Sequence, residues 1–460
     1  MQSSVSVVIL AAGLGTRMKS KMAKVLHRAG GMTLVEQVIT SAASIAPKEN
    51  MVVVTGHQSA RVQELTAHTG VKYAVQTEQK GTGHALLCCR ESVPKNGLLV
   101  VLYGDTPLIY ASTLEELISK HAASGAAATV LTTVLENPYG YGRIIRDGDG
   151  NVAAIVEQKA ATAEQAAVRE INSGIYCFDS ALLWKHIDEI GTNNPAGEYY
   201  LTDIVEIFRR AGYKVAPMQL ASEEELLGIN TRVELAQADR ILRNRTVHRL
   251  MLEGVTIERP ETVTIDAQVK IGRDTIVGPF TQILGSTVIG EDCRIGSYTI
   301  IESSRIEDNV EVGSYTVIGT SVVESGAVVG PFARLRLDNH VSSGAHVGNF
   351  VELKKTRMGK GAKANHLAYL GDSVIGSKVN IGAGTITCNY DGKKKHQTQI
   401  GDGAFIGSNS TLVAPIQIGA GSYIGAASVI TKPVPEGALA IGRAHQVVKE
   451  GWVKAKEAKG

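Results

Sequence analysis

The 460-residue sequence is poor in aromatic side chains, 5% of the total, and it carries five cysteines, Cys88, Cys89, Cys177, Cys293 and Cys388. They are odd in number, scattered and without CxxC spacing, which argues against a disulfide framework or a zinc site and for plain buried thiols in a reducing compartment. No apolar run approaches the roughly 20 residues that a membrane-spanning helix needs. Residues 5–10, Val-Ser-Val-Val-Ile-Leu, have no basic flank before them and run straight into a glycine loop. They read as a first strand rather than a signal peptide, so a cytoplasmic protein with no membrane partner is expected. An excess of one charge is missing too. With 47 Lys+Arg against 45 Asp+Glu, a general nucleic-acid binder is disfavoured.

Glycine is abundant, at 49 residues, and the length calls for two or more domains. The first half alternates apolar strand-like runs (5–10, 51–55, 98–103, 129–134, 174–178) with amphipathic stretches (33–45, 112–123). Ser112 with Glu115 suggests a capped helix start. Runs apolar on both faces fit a parallel sheet covered by helices, a doubly wound, Rossmann-like α/β domain over residues 1–230. A charged helical stretch, 231–252, with Val233, Leu235, Ile241 and Leu242 as its apolar residues, reads as a connecting helix.

Beyond it the period becomes six. Ile265, Ile271, Val277, Ile283, Ile289, Ile295 and Ile301 form one series. Val323, Val329, Leu335, Val341, Val347 and Leu353 form a second, and Ile400, Ile406, Leu412, Ile418, Ile424 and Ile430 a third. Six is neither helical nor simple strand alternation. It is the period of a hexapeptide parallel β-helix, expected over residues 253–445, with three hexapeptides per coil. Glycine follows many of these aliphatics, as at Gly290, Gly296, Gly407 and Gly425, and is expected to turn the corners at positive φ. Breaks in phase near 302–322 and 354–399 mark insertions or omissions at coil corners, where loops should project, 387–399 being the clearest. The tail, 446–460, is expected to be solvated, with Trp452 as an anchor.

Two places in the first half carry chemistry. Gly13 and Gly15 follow the first strand and would let backbone N–H groups approach a phosphate beside Arg17, or form a plain turn. A dinucleotide fingerprint would require glycine where Met18 stands. Asp105 ends a buried-strand pattern, where a parallel sheet binds ligands and a carboxylate suits Mg²⁺, or it is simply a surface-turn aspartate. Around them stand, in order, LAAGLGTRM (10–18), KVLH (24–27), Gln76 through GTGH (81–84), YGD (103–105), GYGR (140–143), Glu157, EINSG (170–174), EYYLTD (198–203) and GIN (228–230).

This set resembles the uridylyltransferase half of the bacterial bifunctional N-acetylglucosamine-1-phosphate uridylyltransferase/glucosamine-1-phosphate acetyltransferases. The resemblance implies that Leu10, Ala11, Ala12 and Gly13, with Gln76, Gly81 and Thr82, hold the uridine nucleotide. Arg17 and Lys24 would sit on its triphosphate, Asp105 and Asn230 would bind Mg²⁺, and Gly140, Glu157 and Asn172 would hold the acetylated sugar. The family has proline before this lysine; Ala23 here suggests a less rigid loop.

The second half extends the resemblance. A histidine is a residue type suited to take a proton from an ammonium group, which marks His366, and Arg336, Lys354, Tyr369 and Asn380 fall in nearby coils. GPFARLR (330–336), HLAYLGD (366–372) and GTITCNYD (384–391) are similar to the family's left-handed β-helix acetyltransferase domain. That similarity implies His366 as general base and Arg336, Lys354, Tyr369 and Asn380 around the sugar phosphate. Ala383, Asn389, Tyr390, Ser408, Ala426 and Arg443 would line the acetyl-CoA site. The substrates implied are glucosamine-1-phosphate, acetyl-CoA, UTP and N-acetylglucosamine-1-phosphate, the product is a precursor of cell-wall polymers, and the assembly is a homotrimer. A β-helix serving only as an oligomerisation module is the competing expectation.

Overall fold

The computed structural model describes residues 4–458. The chain forms two compact units, the first ending at Leu242 and the second beginning at Arg243. The division falls inside one long helix, Arg232–Leu252. Val233 on that helix is exposed, whereas Ala238, Leu242, Val247 and Leu250 are buried.

The first unit is built on β1 (Val5–Ala11), β2 (Met51–Thr55), β3 (Lys72–Val75), β4 (Leu98–Tyr103), β5 (Ala128–Val134), β6 (Arg143–Arg146), β7 (Val152–Val156), β8 (Glu170–Asp179) and β9 (Val215–Leu220). The sheet order is β9-β5-β8-β4-β1-β2-β3, with the β6–β7 hairpin off the end of β8. Alternate residues of one strand feed opposite cores. Val8 and Leu10 pack with Val52, Val54 and Val101 on one face, and Val7 and Ile9 with Val53, Val100 and Leu102 on the other. Covered on both faces, these strands have no polar side to show in the sequence.

Two expectations are corrected. The run 174–178 belongs to β8, which is antiparallel to both neighbours, Tyr176 standing opposite Val101 and Val130. Between β5 and β8 the chain makes only a hairpin and the four-residue helix Ala163–Ala166, not the covering helix that a parallel return requires. Nor does Ser112 cap its helix. Ala111–Ser124 starts one residue earlier without a side-chain cap of its own. The Glu225 carboxylate accepts instead from the Tyr110 N–H (3.1 Å) and the Thr113 hydroxyl (2.6 Å). Reciprocal boxes stand instead at Thr33 and Glu36, on the helix Leu34–Ala42, and at Thr162 and Gln165, on Ala163–Ala166.

In the second unit, short strands stack into three parallel sheets of eleven, ten and nine strands. Each strand pairs with the one a coil later, Thr264 with Gln282 and Ile300 with Val317. All three aliphatic series point into one core. Four of the phase breaks are one-residue omissions at a single corner, where Ile301 is followed at five residues by Ile306, Ile318 by Val323, Leu353 by Met358 and Leu370 by Ile375; between Cys388 and Thr398 the same corner carries an inserted loop. Residues 364–372 therefore continue the coil rather than interrupt it, with Ala364 and Leu370 in inward positions. Two residues before most of these aliphatics a second buried position recurs, filled by small side chains such as Thr275, Thr281, Thr287 and Thr299.

Apart from Gly330, the glycines after the aliphatics are not at positive φ. The left-handed residue usually falls two positions later and is often not glycine, as at Asp274, Phe280, Asp292, Tyr298 and Asn409. Glycine is needed for a different reason. A Cβ on Gly272 would lie 2.6 Å from the backbone nitrogen of Glu291, one coil above. The left-handed corners bring their side chains into register instead, and Phe280, Tyr298, Tyr315, Phe332 and Phe350 stack at centroid spacings of 4.9 to 5.4 Å.

Gly272→Ala should therefore lower stability by roughly 2 kcal/mol or more, because two of the three clashing atoms, on Gly290 and Glu291, are main chain. Asp274→Gly should change it by less than about 1 kcal/mol despite the positive φ. Urea midpoints of the full-length variants compare the two.

Candidate active sites

The parallel strands β1 and β4 end side by side, so the loops that follow them are held together. The Gly104 N–H donates to the Leu10 carbonyl at 2.9 Å, and a Cβ on Gly104 would crowd the Ala11 side chain at 3.1 Å. This places Asp105 beside the 12–15 loop. The Ile229 N–H donates to the Asp105 carbonyl (2.9 Å) and so delivers Asn230 to the same point. Asn230 Oδ1 accepts from Arg17 at 2.8 Å and from Lys24 at 3.1 Å, and the Lys24 ammonium also pairs with the Asp105 carboxylate. Lys24 and Asp105 are 13% and 20% exposed. Gly15, at φ +62°, lets Lys24 pass, since a Cβ there would lie 2.6 Å from the lysine Cβ. Arg17, Lys24, Asp105 and Asn230 thus form one cluster. Leu10, Ala11 and Ala12 are buried behind it, and the space beside Gly13 is open.

Ala23 has φ −55°, the value proline would impose. It also has the N–H that proline lacks, and this donates to Gln58 Oε1 at 2.9 Å. That bond ties Ala23 to the loop after β2.

The loop after β3 joins from the other side. Gln76, buried, donates to the Gly81 carbonyl and meets His84 Nδ1, both at 3.0 Å. Gly81 passes the Tyr199 backbone too closely for a Cβ, at 2.5 Å, and the Thr82 hydroxyl accepts from the Leu201 N–H at 3.0 Å. Gly56, after β2, lies between the Ala12 carbonyl and the Gln79 amide.

Tyr103 links this cluster to the sugar-side residues. Its ring covers Gly174, where a Cβ would lie 2.6 Å from a ring carbon. Burial raises its hydroxyl pKa, and the charges of Asp105 and Glu157 add to the effect. Gly142 sits between Glu157 and Asn172, and its carbonyl accepts from the Asn172 N–H at 2.8 Å. Asn172 Oδ1 accepts in turn from Gly174 N–H and the Tyr176 hydroxyl, at 3.0 and 3.1 Å. The Glu157 carboxyl is pushed above its ordinary range by burial first and by neighbouring Asp203 second. The Gly140 N–H is held by Gln158 Oε1 at 3.2 Å, and the buried Arg143 holds the same oxygen at 2.6 Å and the Tyr141 carbonyl with its other arm. Arg143, Gln158, Tyr103 and Asp203 went unassigned in the sequence. A charged residue buried behind a glycine loop was the available signal for Arg143.

In the second unit, register stacks the candidate residues along one corner. His366 pairs with Asn349 one coil below. Continuing the same ladder upward by the Ala364–Ile381, Ile381–Ile406 and Ile406–Ile424 pairs puts Ala383, Ser408 and Ala426 in line above it. Arg443 closes the column, donating to the Ala426 carbonyl at 2.8 Å. His366 is exposed, and its Nδ1 meets Asn349 Oδ1 at 2.7 Å.

Round the corner, on the next face, Arg336 meets Glu352 at 3.2 Å, and Lys354 is paired with Gly371. The Tyr369 hydroxyl and the Asn389 amide both lie over Gly371, leaving no room for a Cβ, and Asn389 donates to Asp372. Tyr390 lies in the loop above, the Lys395 ammonium 4.4 Å over its ring. Asp391 organises that loop, accepting from the N–H groups of Lys393 and Lys394 and meeting His396 Nε2. Those backbone bonds, first that of Lys394, together with His396 hold its carboxyl below the usual carboxylate range. Asn380 stands apart. It lies on the preceding face, paired with Lys363 and Phe405. Trp452, expected as an anchor, is 55% exposed, with the Lys456 ammonium 5.3 Å over its ring.

A MobA-like NTP transferase domain matches residues 7–168, and six-repeat bacterial transferase hexapeptide models match 268–303 and 397–432. The bifunctional protein GlmU of Solibacter usitatus (strain Ellin6076) is 60% identical over 457 residues, 99% of this chain and 98% of that one. Those of Koribacter versatilis (strain Ellin345) and Anaeromyxobacter sp. (strain Fw109-5) are 50% and 49% identical, covering 98% of this chain and 97% and 93% of theirs. The chain belongs to the bifunctional GlmU family.

As a member of the GlmU family it is a two-activity transferase. It acetylates glucosamine-1-phosphate from acetyl-CoA, and it transfers uridylyl from UTP to N-acetylglucosamine-1-phosphate with release of pyrophosphate. The nucleotidyltransferase match lies in the first compact unit and the hexapeptide matches in the second, a left-handed parallel β-helix.

The raised Glu157 pKa gives a test with a definite sign. Its charged form is penalised in the fold, so it contributes stability at acid pH that is lost as pH rises through the folded-state pKa. Glu157→Gln should therefore match wild type below about pH 4 and be the more stable protein near neutrality. Thermal midpoints measured across that range read the difference.

Proposed function

We propose that uridylyl transfer takes place at the Arg17–Lys24–Asp105–Asn230 cluster and acetylation at the His366 corner. In the first reaction the phosphate oxygen of N-acetylglucosamine-1-phosphate attacks the α-phosphorus of UTP and pyrophosphate leaves. Positioning and charge neutralisation supply most of the catalysis for such a displacement. Leu10, Ala11, Ala12 and Gly13 with Gln76, Gly81 and Thr82 hold the nucleotide, and Arg17 and Lys24 neutralise its phosphates. Gly140, Glu157 and Asn172 receive the sugar, beside the Tyr103 ring. Mg²⁺ fits the donors present: Asp105 and Asn230 offer carboxylate and amide oxygens, and one ammonium reaches both, so they converge on a single cation. When bound, Mg²⁺ would draw charge from the reacting phosphates. Residues 1–230 are assigned to this activity, 253–445 to acetylation, 231–252 to the connection and 446–460 to the tail.

In the second reaction the glucosamine nitrogen attacks the thioester carbonyl. His366 first takes one proton from the ammonium to free that nitrogen's lone pair; the new N–C bond then replaces the C–S bond, a second proton passes from nitrogen to the departing sulfur, and CoA leaves as the thiol. The single observation that carries this role is the hydrogen bond to Asn349. Its Oδ1 accepts, so Nδ1 carries the hydrogen and the Nε2 lone pair is left for the substrate proton. Ala383, Ser408, Ala426 and Arg443, stacked above, suit an extended acetyl-CoA, with Asn389 and Tyr390 at its side. Arg336, Lys354 and Tyr369 share a face suited to the sugar phosphate. Asn380 is a face away, which supports a homotrimer in which a second copy completes the pocket. Acetyl-CoA and UTP as co-substrates support a cytoplasmic location.

Two assays on one preparation test the assignment: acetyl-CoA consumption with glucosamine-1-phosphate, and pyrophosphate release from UTP, Mg²⁺ and N-acetylglucosamine-1-phosphate. His366→Ala should lose the first by about 100-fold or more and keep the second, and Lys24→Ala should do the reverse. Loss of both activities in either variant, or neither, overturns the division of labour.

A further inference from the structure

Resting on that reading of the first site, we infer that Lys24 competes with the divalent cation for Asp105 and Asn230, so that the cation enters with the nucleotide rather than ahead of it. The observation is the sharing of acceptors. The Lys24 ammonium is on the Asp105 carboxylate and on Asn230 Oδ1 together. Arg17 occupies that amide oxygen as well. The lone pairs that a cation would take are the ones these two side chains hold.

Charge points the same way. The cluster has two fixed cations, Arg17 and Lys24, and one carboxylate, Asp105. The nearby Glu234 carboxylate is engaged with the main chain, accepting from the N–H groups of Asn230 and Thr231 at 2.7 Å each. A divalent ion arriving alone meets two like charges seated directly on the oxygens it needs. A nucleoside triphosphate brings about four negative charges, gives Lys24 and Arg17 new partners, and frees both oxygens for the ion.

The lysine is also built to make a short exchange. Gly15 leaves room for its stem, 2.6 Å from where a Cβ would stand, so the base of the side chain is fixed beneath the glycine loop. The outer methylenes carry the ammonium between the carboxylate and the phosphate position above Gly13. Lys24 in this account acts on cation affinity as well as on the triphosphate.

Mn²⁺ titration followed by electron paramagnetic resonance tests it on the full-length protein, with and without UTP and with no sugar phosphate present. Without UTP, Lys24→Met should bind Mn²⁺ at least about tenfold more tightly than wild type. With UTP the gap should close or reverse. Lys24→Gln, which is neutral but polar, should behave like Lys24→Met and serves if the methionine variant does not fold; retained acetyl transfer reports folding of the second unit. If neither variant binds Mn²⁺ more tightly while Asp105→Ala abolishes binding, the competition is wrong and the cation site stands. If Asp105→Ala leaves Mn²⁺ binding unchanged in every background, the cation site itself is wrong and the inference falls with it.

Discussion

Main chain passing main chain more closely than a Cβ allows is the constraint on which both halves of this protein depend. In the α/β unit, Gly81 against the Tyr199 backbone and Gly56 against the Ala12 carbonyl draw loops into contact, and Gly15 makes room for the Lys24 side chain. In the β-helix, Gly272 and Gly296 let each coil settle on the next, with 2.5 to 2.6 Å between an imagined Cβ and the backbone nitrogen above. For the β-helix glycines that follow a core aliphatic, the requirement is mostly separation and less often unusual dihedrals. Where those dihedrals are needed, at the corners, Asp, Tyr, Phe and Asn supply them.

Coil stacking also sets the repeat along the corner. Strands in a sheet lie about 4.7–4.9 Å apart, and five aromatic rings on successive left-handed corners repeat at 4.9 to 5.4 Å. The same ladder carries Asn349 beneath His366 and leads up to Ala426. A side chain one coil away therefore orients the proposed base, and an extended ligand can be met by one residue from each coil.

Much of this was legible in the sequence. The six-residue period of Ile265 to Ile301 gave the β-helix outright, since no other architecture repeats that way. Apolar runs gave the strands of the first unit, but not the direction of β8, because a run buried on both faces looks the same read either way. Ser112 was a fair cap locally, yet Glu225, over a hundred residues away, does the work; local pattern carries no information about such a partner. Asn349 could not be linked to His366 until one-residue omissions at a corner were recognised, because those omissions set which residues stack. The roles of Lys24, Asp105 and Asn230 came from family resemblance. Their convergence on one point comes from the end of β4 and the Ile229–Asp105 hydrogen bond.

The most direct test of the account is at Gly348, immediately before Asn349. A Cβ there would lie 2.6 Å from the carbonyl carbon of Asn365, directly beneath His366. Acetyl transfer by the full-length Gly348→Ala protein is the measurement, with pyrophosphate release from the same preparation as its internal reference. If close coil stacking positions the base, acetyl transfer falls by about 100-fold or more while pyrophosphate release stays within about twofold. Acetyl transfer near the wild-type rate would contradict the account.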